Sequence, residues 1–342
     1  MVGLGAWAQK AEQKFNPKKF QVFAVGFYNQ ENLFDTCHDA GKNDYEYLPA
    51  KGWNSEKYTS KLKNMSRALA DMGTDVLPDA GCAFIGLAEV ENANVLKDLT
   101  AQPPLKARNM QFCHIEGPDK RGIDCALLYN PALFTVKNVK LVPYVQELAK
   151  DSAFYTRGFL TVRGEMAGDD VAVIVCHWPS QFSGSFYRES GARQTKAVKD
   201  SLLRLNPEMK VFVMGDMNDD PTSKSMYEVL RAQPEISEVG EGDMYNPWYN
   251  ILAKEEKGTL YYRGKWNLFD QIVLTPNLLN KDGKKKGYRS LKYWNHQVFR
   301  RDYLIQQEGR YQGAPLRTKA GGKWLNGYSD HLPVVLYLVK KK

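Results

Sequence analysis

The chain has 342 residues, of which 43% are apolar and 25% are charged, as is usual for a globular protein. Its 47 basic and 39 acidic residues give a net charge of +8, which favours anionic partners such as phosphate esters or nucleic acid without establishing one. No apolar run approaches the roughly eighteen residues of a membrane span, so we expect no stable membrane insertion. Nothing in the sequence indicates a protein partner.

Residues 1–21 are predicted to be a leader remnant and spacer. The segment Ala6-Trp7-Ala8 is typical of a signal-peptide cleavage site, although no basic segment precedes it. We therefore predict export, to the periplasm or out of the cell, in preference to a cytoplasmic location. Residues 22–340 are predicted to form one domain, because the polar clusters described next need one another.

Apolar runs with polar residues at one end recur along the chain and predict strands. Those followed by polar residues begin at Val22, Phe84, Val171 and Val211. Those preceded by polar residues begin at Cys125, Ile272 and Leu332. If the two groups run in opposite directions, all the polar clusters meet on one rim. The pattern predicts an α/β fold with two packed mixed or antiparallel sheets and helices outside them.

Three helices are predicted between these strands. Ser55 to Met72 carries apolar residues at helical spacing, with Ser55 as N-cap and Gly73 as the stop. Tyr187 to Leu205 is the second helix. Thr222 to Gln233 is the third and shortest, and Asp219 or Asp220 is its expected N-cap.

The stretch from Lys210 to Pro221 carries the strongest chemical signal. Gly215 is expected to break the apolar strand, and Asp216 and Asn218 then lie on the same side of an extended backbone. A carboxylate and an amide held in this way suit the binding and activation of a water molecule. The alternative is a polar turn between a strand and a helix.

Six elements of this kind occur in a characteristic order: Asn29 with Glu31, Glu89, His177, Gly-Asp-Met-Asn at 215–218, Asp270, and Ser-Asp-His at 329–331. Each has an ordinary structural alternative, but together they resemble the endonuclease/exonuclease/phosphatase superfamily. The resemblance covers about Val22 to Leu338. It implies a four-layer sandwich and metal-dependent hydrolysis of a phosphate ester.

The resemblance implies a metal site. Glu89 is the expected main ligand, with Asn29, Glu31 and Asp330 nearby. Mg²⁺ is the expected ion and Mn²⁺ the alternative, because such ions prefer oxygen ligands.

The resemblance also implies the catalytic groups. Asp216 is expected to orient or deprotonate the attacking water, and Asn218 to hold that water or the phosphate. His331, aligned by Asp270, is expected to contact the phosphate oxygens, as is His177.

Four further residues are candidates for substrate binding. Asp124 either orients His177 or forms a salt bridge with Arg121. Arg188 and Arg193 either reach the phosphate or are solvated charges on the helix after His177.

The segment between Asp270 and Asp330 is longer than the resemblance leads us to expect, which predicts an insertion at about 281–328, next to the site. Its interleaved bases and aromatics, such as Lys281, Arg289 and Trp324, suit contact with nucleobases and phosphates. The alternative is a surface subdomain packed by its own aromatics.

The leading hypothesis is therefore a phosphodiesterase that hydrolyses nucleic acid, a nuclease. The alternative is a hydrolase of small or lipid-linked phosphate esters. A non-catalytic binding module is the hypothesis from another class.

Overall fold

The computed structural model describes residues 18–147, 155–255, 257–281, 283 and 285–342. Most of the predicted leader remnant, residues 1–17, lies outside the described residues, and export stays a prediction. Among the described residues, no helix is both long and apolar enough to cross a membrane.

The strands are, in chain order, β1 (Phe20–Leu33), β2 (Cys82–Val90), β3 (Gln111–His114), β4 (Asp124–Tyr129), β5 (Thr135–Val142), β6 (Phe159–Met166), β7 (Asp169–His177), β8 (Lys210–Asp216), β9 (Ala232–Gln233), β10 (Met244–Tyr245), β11 (Leu260–Tyr262), β12 (Lys265–Asn267), β13 (Asp270–Leu274), β14 (Lys292–Val298), β15 (Lys319–Ala320), β16 (Lys323–Trp324) and β17 (Val334–Lys341). The α-helices are α1 (Ser55–Asp71), α2 (Ala93–Thr100), α3 (Pro103–Lys106), α4 (Ser185–Leu205) and α5 (Tyr249–Glu255).

Two large sheets form the centre of the molecule. One has the strand order β14-β17-β1-β2-β4-β3 and the other β5-β6-β7-β8-β13-β10-β9. Apolar side chains from both sheets share one core, in which Phe84 of the first sheet packs against Phe212 of the second. Helices α1 and α2 cover the outer face of the first sheet, and α4 covers the outer face of the second. The predicted four-layer α/β sandwich is confirmed.

The strand directions bring the polar clusters to one rim, as predicted. Strand β1 is parallel to β2 and antiparallel to β17, while β8 is parallel to β7 and antiparallel to β13. In the second sheet Asp216 therefore lies opposite His177 on one side and opposite Asp270 on the other. The first sheet supplies the ends of β1 and β2 and the residues just before β17.

The prediction that Gly215 breaks its strand is wrong, because β8 continues through Asp216. Glycine is required here by close approach. A Cβ at this position would lie 2.1 Å from the backbone oxygen of Cys176 in the neighbouring β7. Gly215 therefore lets the strands that carry His177 and Asp216 pair closely.

The two long helices are confirmed, with the N-cap of α1 at Asn54 instead of Ser55. The predicted helix from Thr222 is wrong: only a short helical turn forms at Ser225–Val229, followed by β9. Asp219 and Asp220 do not cap it. Asp219 accepts a hydrogen bond from the Ser225 hydroxyl, and Asp220 accepts one from the backbone N–H of Leu268. Both carboxylates therefore bind other groups instead of the N–H groups at a helix N-terminus.

The 281–328 segment divides between two ends of the molecule. Lys292 pairs with Val339 while Val298 pairs with Val334, so the segment enters at the end of the sheet far from the rim. The ring of Tyr288 packs edge-on against Phe20, 5.7 Å away. Phe20 precedes Asn29 by nine residues in β1, or about 30 Å at ~3.3 Å per residue. Tyr288, which stands among the bases of this segment, is therefore not next to the site, whereas residues 317–328 are.

Candidate active site

Asp216 is the centre of the site. Its Oδ2 accepts a hydrogen bond from Asn29 Nδ2 at 3.0 Å and lies 3.6 Å from His177 Nε2 and 3.8 Å from His331 Nε2. Its Oδ1 accepts the backbone N–H of Asn218 at 2.9 Å. Burial, and then repulsion by Asp270, raise the pKa of Asp216 to about 6, although His331 opposes the change. A carboxylate with this pKa can exchange a proton near neutral pH.

His331 and Asp270 form a buried pair. His331 Nδ1 lies 2.7 Å from Asp270 Oδ2, so Nε2 faces Asp216. Burial alone would lower the pKa of His331, but the carboxylates of Asp270 and Asp216 outweigh it and raise this pKa well above its usual range. The other oxygen of Asp270, Oδ1, is buried with no hydrogen-bond partner among the described residues. The pair therefore presents a cationic imidazolium to the cleft.

His177 has the opposite charge state. Burial, and then the positive charges of Arg157 and Arg121, lower its pKa well below the usual range. Its Nε2 lies 3.6 Å from Asp216 and 3.9 Å from Glu89 Oε1, and its Nδ1 is buried with no partner among the described groups. The two histidines around Asp216 thus differ in charge: one is neutral and the other is cationic.

The predicted metal-side carboxylates are held by Arg317 and Thr318, two residues of the 281–328 segment to which the sequence analysis gave no role. Glu31 accepts hydrogen bonds from Arg317 Nε at 3.0 Å and from the backbone N–H of Thr318 at 2.6 Å. Arg317 also bonds Asp330 at 2.9 Å. Burial and the nearby Asp330 raise the pKa of Glu31 to about 7. Burial of the carboxyl group is the larger cause, and the positive charges of Lys61 and Arg317 oppose it.

Glu89 lies on the other side of these carboxylates. Its Oε2 accepts the backbone N–H of Asn32 at 3.0 Å. Glu89 and Asn32 adopt left-handed backbone conformations (φ 61° and 59°), as do Glu31 (46°) and Asn218 (49°). Non-glycine residues at positive φ are uncommon and concentrate at functional sites. Four of them at one rim indicate that the backbone is bent to place these side chains.

The donor set fits a hard divalent cation. Glu31, Glu89 and Asp330 offer carboxylate oxygens, which such cations prefer, whereas Asn29 offers Nδ2 to Asp216 and uses its Oδ1 to bind the N–H of Glu31. Asp216, Asp270 and His331 also bring ligand atoms within 4.8 Å of one another. That group overlaps the predicted catalytic residues and not the predicted ligands.

Of the four substrate-binding candidates, only Arg121 lines the cleft. Its guanidinium bonds Asn32 Oδ1 and lies 3.8 Å from Glu89.

The structure does not bring Asp124, Arg188 or Arg193 to the cleft. Asp124 bonds His114 and the backbone N–H of Gly117, so it does not orient His177. Arg188 pairs with Asp219 at 2.9 Å, and Arg193 pairs with Glu147 at the surface. Each of these three side chains bonds to a nearer partner, which no pattern in the sequence indicated.

Two buried cations were missed by the sequence analysis. Arg157 lines the cleft and donates to Asp119 and to the backbone oxygen of Trp178. Lys61 is fully buried and donates to Thr318 Oγ1 and to the backbone oxygen of Tyr328. The sequence could have indicated the burial of Lys61, because this residue lies on the apolar face of α1 beside Leu62.

The side chains of His177, Asp216, Asn218 and His331 open into one cleft of about 220 Å³. Glu89, Arg121 and Arg157 line the same cleft. It thus presents a proton acceptor, two imidazoles and two guanidinium groups to one ligand. These are the groups needed to hold and hydrolyse a phosphate ester.

Several solved structures share this architecture. The fold is similar to D. rerio TDP2 complexed with single-strand DNA product (13% identity, TM-score 0.54, 93% of this chain and 98% of the other). It is similar to a Bacteroides thetaiotaomicron mannosyl-6-phosphatase (15%, 0.56, 92% and 99%). It is also similar to the human Nocturnin catalytic domain with a bound sulfate anion (14%, 0.52, 95% and 98%). No curated protein matches the chain in sequence.

The fold and the site together define a two-sheet α/β-sandwich phosphoesterase. The sequence profile of the Endonuclease/Exonuclease/phosphatase family matches residues 24–340, which is most of the chain. The chain belongs to this family.

Proposed function

We propose that the protein hydrolyses a phosphodiester of nucleic acid by direct attack of water on phosphorus, with Mg²⁺ as its metal. The observation that carries this proposal is the position of Asp216, buried between a neutral and a cationic histidine at the base of a cleft. A lone carboxylate could not both accept a proton and face an anionic substrate. Here the cationic groups around it offset the charge of the phosphate.

The residues divide the reaction between them. Asp216 accepts a proton from the attacking water while the water oxygen forms a bond to phosphorus. The ester P–O bond on the opposite side of the phosphorus atom breaks. His331 Nε2–H, kept protonated by Asp270, donates to a phosphate oxygen, while Arg121 and Arg157 attract the anionic group into the cleft. Glu31, Glu89 and Asp330 would hold the cation, which supplies charge neutralisation for the departing oxygen when it is bound.

A small phosphate ester is the second candidate substrate. The position of Tyr288, in the basic segment, favours it, since this residue packs on Phe20, about 30 Å from the rim by the strand spacing used above. The net charge of +8 supports a polyanion. The two substrate classes are separable by experiment.

The test is hydrolysis of single-stranded and duplex DNA, RNA, sugar phosphates and sphingomyelin, with Mg²⁺, Mn²⁺ or a chelator. We expect metal-dependent cleavage of nucleic acid, and a fall of about a thousandfold or more in kcat for Asp216→Asn. Asp79→Asn, a matched change at an exposed aspartate, should retain activity. If the protein binds metal and cleaves none of these esters, the proposal is wrong. If it cleaves sugar phosphates alone, the substrate is a small phosphate ester and not nucleic acid.

A further inference from the structure

A second, larger cavity of about 580 Å³ lies next to the catalytic cleft. Its walls are the 3₁₀ turns at Tyr45–Tyr47 and Pro49–Lys51, the first turn of α1, and the β15–β16 hairpin. The reaction described above does not use this cavity. Its lining is unusually rich in cations for a surface pocket.

The cations of this cavity outnumber its acids. Arg317 is paired with Glu31, which leaves Lys51, Lys57 and Lys319 against Glu46. Burial lowers the pKa of Lys319, because its ammonium group is partly removed from water.

Aromatic rings support the lysines. Lys319 Nζ lies 4.4 Å from the ring centroid of Tyr47 and 5.0 Å from that of Trp53. These contacts fix the position of the ammonium group without neutralising its charge. Lys319 therefore presents a positioned charge with no carboxylate bonded to it among the described residues.

The hairpin places its side chains by register. Lys319 pairs directly with Trp324 across β15 and β16, so the two side chains share one face of the hairpin and both line the cavity. Lys323 pairs with Ala320 and does not line the cavity. Trp324 packs on Trp53 at 5.5 Å, which anchors the hairpin to the body of the protein.

The cavity and the cleft share a wall. Glu31 and Asn32 line the cavity, and Glu89 and Arg121 line the cleft. Asn32 connects the two, since its N–H bonds Glu89 and its side-chain oxygen accepts a bond from Arg121. A ligand with its reacting phosphate in the cleft can extend past Asn32 into the cavity.

We propose that the Lys51, Lys57 and Lys319 cavity binds a second phosphate group of the same substrate. The inference rests on the proposed function and narrows it to esters that carry at least two phosphates. That second phosphate comes either from the next linkage of a nucleic acid or from a small bisphosphorylated molecule. Lysine ammonium groups suit such an anion as point charges with several donors.

The test uses two substrate pairs whose members differ only by one phosphate. One pair is a nitrophenyl ester of a nucleoside monophosphate, with and without a phosphate on the other ribose hydroxyl. The other pair is a hexose bisphosphate and the corresponding monophosphate. The ratio of kcat/KM within each pair is measured for the wild type, for Lys319→Gln and Lys51→Gln, and for Lys323→Gln as the matched control on the same hairpin.

We expect kcat/KM to be about tenfold higher for the doubly phosphorylated member of one pair, because charge-assisted bonds are worth about that factor. The pair that shows the preference identifies the source of the second phosphate. Lys319→Gln and Lys51→Gln should reduce the ratio towards one, and Lys323→Gln should keep it. Equal kcat/KM within both pairs, or a preference that survives in both Lys319→Gln and Lys51→Gln, overturns the inference.

The proposed function can be wrong while the second-phosphate inference is right. In that case no member of either pair is hydrolysed with any metal. Binding of inorganic pyrophosphate, measured by calorimetry, then decides the inference. We expect Lys319→Gln to weaken this binding about tenfold and Lys323→Gln to leave it unchanged. Equal affinities in the wild type and Lys319→Gln overturn it.

Discussion

Around Asp216, two chemically identical side chains are given different charges by their surroundings. The carboxylates of Asp270 and Asp216 raise the pKa of His331, whereas burial and two guanidinium groups lower the pKa of His177. Asp216 lies within 4 Å of both imidazole rings. Asp216, the proposed base, thereby lies between two imidazoles whose pKa values are shifted in opposite directions.

The first prediction concerns the pH dependence of kcat/KM. The pKa of Asp216 is raised to about 6, so this carboxyl group binds a proton below that pH and can no longer accept one from water. We expect kcat/KM to fall with decreasing pH through about 6, approaching tenfold per pH unit. His331 stays protonated through this range, because its pKa is raised.

The measurement is a pH–rate profile at saturating metal, with metal binding followed separately at each pH. An acid limb that coincides with loss of metal would assign the pH dependence to the carboxylate ligands instead of to Asp216. A profile that is flat between pH 5 and 7, about one unit to either side of 6, would contradict the assignment of Asp216 as the base.

At the scale of elements, the close pairing of β7 with β8 positions the base. We predict that Gly215→Ala lowers both the free energy of unfolding, by about 2 kcal/mol or more, and kcat. The new Cβ would lie 2.1 Å from the backbone oxygen of Cys176, so the strands must separate beside His177 and Asp216.

Urea unfolding and steady-state kinetics check this prediction. Gly242→Ala is the control: its φ of 79° also disfavours a side chain, but the added Cβ meets no atom within 4 Å. We expect Gly242→Ala to lower the free energy of unfolding by about 1 kcal/mol and to leave kcat unchanged. If both variants retained full kcat, the pairing of these strands would not position the base.

The loop that begins at Arg317 has a separate role, which predicts a change in metal response. Arg317 lies between Glu31 and Asp330, so Arg317→Met removes one of the two nearby cations, Arg317 and Lys61, that offset their charge. We expect a lower Tm without metal and a larger rise in Tm when Mg²⁺ is added, because the cation then offsets more repulsion.

Thermal unfolding with and without Mg²⁺ gives this difference. Arg263→Met, a change at an arginine in the turn between β11 and β12, is the control and should show the wild-type rise. A smaller rise in Arg317→Met would mean that the arginine supports metal binding instead of substituting for the cation.

The elements that the sequence predicted well are those specified locally. The apolar runs gave the main strands, and the position of polar residues before or after each run gave its direction. The predicted capping by Asp219 is wrong because Arg188 of α4 and the hydroxyl of Ser225 bind this carboxylate. The contact of Arg317 with Glu31 spans 286 positions in sequence, and no local pattern specifies it.

Across the whole molecule, the site requires both sheets. His331 from the first sheet bonds Asp270 from the second, and Asn29 of the first bonds Asp216 of the second. The order of the motifs predicted this convergence, since opposite strand directions bring their ends to one rim. The charge distribution over the molecule was not predictable in the same way, because runs of bases close in sequence can lie at either end of a sandwich.

The last prediction follows from that charge distribution. Tyr288, next in sequence to Arg289, lies beside Phe20 at the end of β1 opposite the site, whereas Lys51 and Lys319 lie beside the cleft. Each phosphate that a variant no longer neutralises should reduce the slope of log KM against log salt by about 0.7 to 0.9. We therefore expect Lys51→Gln and Lys319→Gln to reduce the salt dependence of cleavage of a single-stranded oligonucleotide. The double variant Lys281→Gln/Arg289→Gln, which removes two positive charges where each single variant removes one, should keep both the wild-type slope and the wild-type kcat/KM. A reduced slope in that double variant would instead mean that a bound strand extends along the full length of the first sheet.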